Sequence, residues 1–114
     1  MNKVRVSVSD PWEFGEAIGW RPLVGSLLKI EDDDHGGKAL IMFDDVVSYG
    51  GAPWRYVVAT VRHQGESITA IRSGNVVLGS MIGITDEQAE STHPLDVAHW
   101  RGGLAFVGDI APDE

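Results

Sequence analysis

The most conspicuous residues that could do chemistry form an acidic turn, Glu31 to Gly37, in which four carboxylates precede His35 and two glycines. Carboxylate oxygens are the ligands of hard cations such as calcium. A calcium loop of the EF-hand type needs glycine at its sixth position and glutamate at its twelfth. Counted from Asp32, these positions hold Gly37 and Phe43, so the closing ligand is missing. The pattern favours a solvated hairpin tip whose charges discourage aggregation at a sheet edge.

A second group with metal-binding chemistry is His93, Asp96 and His99, which are spaced by three residues. In a helix this spacing would put an imidazole–carboxylate set suited to zinc on one face. Pro94 interrupts such a helix, and Gly102–Gly103 follows shortly after it. We therefore expect ordinary polar residues here, with no metal and no cofactor.

Arg62, His63 and Glu66 stand at the end of a predicted strand and in the turn that follows it. A histidine beside a carboxylate is the minimum for acid–base catalysis, and an arginine can hold an anionic group. Together with His99, these residues define a candidate ligand-binding site at the rim of a curved sheet. The competing interpretation is a charged strand end held by a salt bridge.

Other catalytic motifs are missing from the sequence. The chain has no cysteine, which excludes a thiolate nucleophile, a thiolate-bound zinc and a disulfide framework. No serine lies in a nucleophile-elbow sequence, and no glycine-rich phosphate loop is present. A binding function is therefore the stronger expectation, and an enzymatic one the weaker.

The charge of the chain points to the chemistry of a partner. Seventeen acidic residues against nine basic ones give a net charge of −8. Nucleic acids are unfavourable partners, because their phosphates require clustered Lys and Arg. A basic protein would be attracted by the same field, although acidic charge also serves solubility alone.

Aromatic residues supply possible anchors for such a partner. The chain has four tryptophans, of which Trp12 and Trp20 flank a predicted helix and are expected to pack it against the sheet. Trp54 and Tyr49 border a loop rich in Gly and Pro and are the better candidates for exposure. Tryptophan and tyrosine are enriched among the residues that dominate binding energy at protein interfaces.

At 114 residues, the chain is predicted to form a single globular domain spanning residues 1–114. Its first residues alternate charge with valine, which is unlike a signal peptide, and no apolar run reaches the roughly 18 residues of a membrane span. No membrane association and a cytoplasmic location are the expectations.

Strand-like segments alternate with turn-like ones along most of the chain. Lys3 to Ser9 alternates strictly between valine and polar residues, as a half-buried strand does. Further strands are predicted from apolar or β-branched runs at Pro22 to Glu31, Lys38 to Phe43, Trp54 to His63, Ser67 to Arg72, Val76 to Ile84 and Leu104 to Ile110. Asp44 to Pro53 is rich in turn formers and is predicted to be a surface loop.

Two short helices complete the prediction. Asp10 and Pro11 open the first, which Gly19 closes, and Thr85 caps the second, which ends before Pro94. The fold class is therefore α+β and mainly β: an antiparallel, strongly bent sheet or a small, partly open barrel of about six strands with two short helices.

Two kinds of function, and a third possibility, follow from these observations. The first is an acidic protein-binding module that masks a basic partner, in the manner of immunity or inhibitor proteins, with a binding site formed by Asp32, Asp33, Asp34, Asp44, Asp45, Tyr49 and Trp54. The second is a small-molecule or enzymatic site at Arg62, His63, Glu66 and His99. The third is a homo-oligomer subunit that pairs through an exposed first or last strand.

Overall fold

The computed structural model describes residues 3–10, 22–32, 36–49, 52–62, 66–95 and 105–113. These residues form six strands, namely β1 (Lys3–Asp10), β2 (Leu23–Glu31), β3 (Lys38–Tyr49), β4 (Ala52–Val61), β5 (Val77–Ile84) and β6 (Ala105–Pro112). A 3₁₀ helix (Ile68–Ser73) connects β4 to β5, and a four-residue helix, α1 (Asp86–Ala89), follows β5. No helix of this described part of the chain is long and apolar enough to cross a membrane.

The six strands close into a barrel in which each strand pairs antiparallel with its sequence neighbours and β6 returns to β1. The predicted mainly β, antiparallel fold is therefore confirmed, and its sheet closes fully. Closure pairs the first strand with the last, from Val4 with Pro112 to Asp10 with Val107. The exposed terminal edge expected for pairing between copies is thus occupied within the chain.

The antiparallel order gives the barrel two distinct ends. At one end, here called the base, β3 and β5 begin and β2 and β4 end. Strand β1 is staggered, so that its first residue, Lys3, pairs with Ser26 and lies level with Met42 of β3. At the other, here called the top, β2, β4 and β6 begin and β1, β3 and β5 end. The 3₁₀ helix lies at the base because it joins the end of β4 to the start of β5.

Alternation along the strands fills the barrel interior with apolar side chains. Val4 and Val6 are buried whereas Arg5 between them is exposed, because successive side chains of a strand point to opposite faces. Phe43 from β3 and Phe106 from β6 stack with their ring centroids 6.5 Å apart. Strands β2 and β3 approach each other closely at Gly25, where a Cβ would collide with the Met42 carbonyl oxygen.

The predicted strand over Ser67 to Arg72 is wrong, because Ser67 is the N-cap of the 3₁₀ helix Ile68–Ser73. The Ser67 hydroxyl accepts a hydrogen bond from the Thr69 amide and caps the helix. Ile68 and Ile71, one 3₁₀ turn apart, are both buried in the barrel core. Gly74, with φ of 89°, ends the helix in the left-handed region. Capping and burial at a spacing of three outweigh the β-branched composition.

The predicted surface loop over Asp44 to Pro53 is also wrong, because β3 continues to Tyr49 and β4 starts at Ala52. The turn-forming residues of this segment therefore lie within strands β3 and β4 and not in a loop between them. Of the predicted helices, the one after Asp10 lies outside the described residues, and the one capped by Thr85 is confirmed, with its hydroxyl accepting from the Gln88 amide at 3.1 Å.

A second apolar cluster lies on the outer wall of the barrel. Leu40, Val58 and Ile84 come from β3, β4 and β5, and Leu95 packs against them. The chain after β5 therefore folds back over the outer face of the sheet. The Gln88 side-chain amide donates to the Pro94 carbonyl and ties this returning segment together.

Candidate partner-binding site

A large β-bulge in β3 shapes the top of the barrel. Met42 pairs with Tyr56, and the next described pair joins Val47 to Trp54. Four residues of β3, from Phe43 to Val46, therefore oppose the single residue Arg55 of β4. Such a bulge bends the strand and re-aims its side chains. Beyond it, Val47–Tyr49 and Ala52–Trp54 continue as a hairpin, and this region from Asp44 to Arg55 is called the top hairpin.

The bulge presents two consecutive carboxylates to solvent. Asp44 and Asp45 are both exposed. Asp44 accepts a 2.7 Å hydrogen bond from the Lys3 ammonium group, which compensates its charge. Asp45 has no ion-pair partner among the described residues. It is therefore the carboxylate of this pair that is available to a cation from outside.

Trp54 has one side on the core and one side near the surface. It lies directly opposite Val47, and directly opposed residues share a face of the sheet. Its ring packs against the barrel core and is half-buried. The indole Nε1 atom is buried and finds no hydrogen-bond acceptor among the described residues. Trp54 therefore contributes a partly accessible ring, whereas for Tyr49 only the backbone, opposite Ala52, is described.

A small hollow lies beside the top hairpin, where β2 begins. It has a volume of about 70 Å³ and is lined by Pro22, Leu23, Val24, Phe43 and Asp45. Pockets for drug-sized ligands usually measure about 300–1,000 Å³. The hollow is therefore too small for a metabolite and has room for a single small side chain of a partner.

The acidic turn lies at the other end of the barrel from Asp44 and Asp45. Asp32 follows β2 at the base, and Asp44 lies six positions after Lys38 along β3, a rise of about 20 Å. Asp32 is exposed and its carboxylate accepts a 3.4 Å hydrogen bond from the Ser67 hydroxyl. Asp33 and Asp34 lie outside the described residues. The structure thus does not bring Asp32 to the top hairpin.

Only Arg62 and Glu66 of the alternative site belong to the described part of the chain. The Arg62 guanidinium donates to the Ser80 hydroxyl at 3.0 Å, on the outer wall of the barrel. Glu66 is exposed and forms no described ion pair with Arg62. His63 and His99 lie outside the described residues.

Sequence reasoning missed that the acidic turn and the Arg62–Glu66 turn meet at the base. The Ile68 amide donates to the Gly36 carbonyl at 2.7 Å and joins the two segments. Gly36 and Gly37 both have positive φ, of 100° and 90°, which the close approach requires. The glycine pair directly after the acidic run was the sequence signal for this close approach, since left-handed backbone favours glycine.

Metal-binding geometry is not found in the described ranges. They contain no group of three or more His, Asp or Glu side chains that could hold an ion together. His93 is exposed, and Asp96 and His99 lie outside these ranges.

Comparison with known proteins gives no relative. No protein-family model, no curated protein and no solved structure matches the chain. What the chain binds must therefore be inferred from its own residues, above all from the charge, exposure and backbone pairing of the top hairpin.

Proposed function

We propose that this protein is an acidic docking module that binds a basic protein partner through its top hairpin. The observation that carries the proposal is Asp45, an exposed carboxylate without a described cation, which borders a small hollow beside Leu23 and Phe43 on a chain of net charge −8. Charge at the rim of an interface speeds encounter and selects partners. A lysine or arginine beside an apolar side chain is the chemistry that this surface fits.

The distribution of ion pairs supports the top hairpin as the contact. Three ion pairs are present among the described residues, Lys3 with Asp44, Arg5 with Asp113 and Lys29 with Glu31, and all are exposed. Exposed ion pairs contribute only about 0–1 kcal/mol to stability, so breaking one costs little. A basic partner can therefore compete with Lys3 for Asp44 as well as pair with Asp45.

The apolar part of the contact comes from Trp54 and the hollow beside Phe43. Aromatic rings with one packed side are held rigid by the core and lose little entropy when a partner covers the other side. Tyr49, at the end of β3, is the second ring proposed for the contact. A masking protein of the immunity or inhibitor type combines such anchors with acidic steering.

The experiment that tests this function is titration calorimetry with each basic protein encoded by the neighbouring genes, at low and at high salt. We expect one of them to bind, with an affinity that falls as salt rises. Asp45→Asn should weaken binding by about threefold to tenfold, as expected for one charged contact. Asp32→Asn is the matched control, because it removes the same charge at the base and should change affinity less than twofold, about the scale of a screened distant charge.

An affinity that does not change with salt concentration would contradict the proposal. Equal losses of affinity in Asp45→Asn and Asp32→Asn would contradict it too. The absence of binding by every basic neighbour would contradict it as well.

A further inference from the structure

The β3 edge of the top hairpin pairs with no strand among the described residues. The described pairing of β2 with β3 stops at Gly25 and Phe43, so beyond Phe43 the described residues of β3 pair only with β4. Asp45 and Ser48 on this stretch are exposed. An unpaired edge offers backbone amides and carbonyls to any chain that can extend beside it.

Pro53 determines which backbone groups point to that edge. Ser48 pairs with Pro53, and proline has no amide N–H to donate. The two residues cannot exchange both hydrogen bonds, so theirs is the non-hydrogen-bonded type of antiparallel pair. In such a pair the backbone N–H and C=O of each residue point away from the partner strand. The Ser48 amide and carbonyl therefore face the unpaired side of β3.

We propose that the partner binds by adding an extended, basic segment as a strand along this β3 edge. This inference rests on the proposed function and specifies the partner's conformation. The added strand would continue the line of β2, so one of its apolar side chains would reach the hollow lined by Leu23 and Phe43. A neighbouring lysine or arginine would meet Asp45.

Charge distinguishes this occupant from a second copy of the chain. Each copy carries a net charge of −8, and fields of like sign oppose association. On the hairpin itself, the carboxylates belong to β3, whereas the exposed Arg55 belongs to β4. A basic segment is therefore attracted to the β3 side and disfavoured on the β4 side.

The test uses a blocked peptide of alternating lysine and valine, about six residues long, as the probe. Ser48→Pro removes the amide donor that faces the free edge and leaves the pairing with β4 intact, since proline is tolerated at edge positions. Ser48→Ala is the matched control, because it removes the hydroxyl and keeps the amide. We expect Ser48→Pro to weaken binding by about threefold to tenfold, the effect of one hydrogen bond, and Ser48→Ala to bind as the parent does.

A second arm does not depend on a protein variant. Two forms of the probe are N-methylated, one at the lysine amides and one at the valine amides, with charge unchanged. Alternate amides of a strand point to the same side, so methylation of the set facing β3 should reduce binding by about tenfold or more. For the first arm, circular dichroism and the melting temperature are measured to check that the Ser48→Pro variant is folded.

Each outcome decides between the two proposals. Equal binding of the probe and both methylated forms, with a loss only in Asp45→Asn, overturns strand addition and leaves charge docking standing. No binding of the lysine–valine probe at any salt concentration overturns strand addition, and salt-dependent binding of a basic neighbouring protein that Asp45→Asn weakens still supports the docking function. A chain that dimerises with Ser48-dependent affinity, without binding the probe, overturns the basic partner in favour of a second copy.

Discussion

The base and the top of the barrel are closed in different ways, and the difference separates stability from binding. At the base, Ile68 and Ile71 of the 3₁₀ helix are buried in the core, and the Gly36 carbonyl is tied to the Ile68 amide. At the top, the hairpin extends past the bulge with exposed carboxylates and a β3 edge that no described strand covers. Substitutions should therefore reduce stability at the base and affinity at the top.

The largest expected effect is a loss of stability when the buried side chains of the 3₁₀ helix at the base are truncated. Ile68 is fully buried, so Ile68→Ala removes packed methyl groups and leaves a cavity. We expect a loss of about 2–5 kcal/mol in the free energy of unfolding, measured by urea denaturation. Leu28, with 49% of its surface exposed, is the matched control, and Leu28→Ala should change stability by about 0.5 kcal/mol or less. Similar losses in both variants would mean that the 3₁₀ helix does not close the core.

A second pair of variants separates backbone strain from packing at the base. Gly37 and Gly74 have nearly the same φ, 90° and 89°. A Cβ at Gly37 would lie 2.6 Å from the Glu31 carbonyl oxygen and 2.8 Å from Ile68 Cγ2, whereas a Cβ at Gly74 meets nothing within 4 Å. Gly74→Ala should cost about 1–2 kcal/mol, the price of left-handed backbone, and Gly37→Ala about 1–3 kcal/mol more. Equal melting temperatures for the two variants would contradict the close contact between turn and helix.

The smallest expected effect is at the top. Trp54→Phe keeps an aromatic ring against the core and removes the indole N–H, which is buried without a described acceptor. A buried unpaired donor costs about 1–3 kcal/mol, which offsets much of the lost apolar area. We expect stability to change by less than about 1 kcal/mol in either direction. A loss of more than about 2 kcal/mol in thermal or urea unfolding would show that the indole nitrogen is hydrogen-bonded.

The strands that form the barrel could be predicted from sequence, because they carry local signals. The alternation of Val4, Val6 and Val8 with polar residues identifies β1, and hairpin turns separate the next apolar runs. The segment at Ser67 to Arg72 could not be assigned correctly, since its conformation depends on the core that Ile68 and Ile71 enter. Strand composition alone does not contain that contact.

The candidate site was harder to predict than the fold, because it depends on long-range register. The bulge at Phe43 to Val46 arises only from how β3 pairs with β4. The sequence places Asp32 and Asp45 on either side of the predicted strand Lys38 to Phe43, and in the structure they lie at opposite ends of the barrel. The same register pairs Trp54 with Val47 and so places the Trp54 ring against the core. It also pairs Ser48 with Pro53, which directs the Ser48 amide to the edge of the hairpin.

The central claim, that the β3 edge of the top hairpin is where a basic segment binds, is tested most directly by amide hydrogen exchange measured by NMR with and without the lysine–valine probe. The Ser48 amide, which faces the edge of the hairpin, should exchange rapidly in the free protein. When the probe is bound, its exchange rate should fall by about threefold or more. The amides near Asp32 and Glu66 at the base should not change. Unchanged exchange at Ser48, or new protection confined to the base, would contradict the claim.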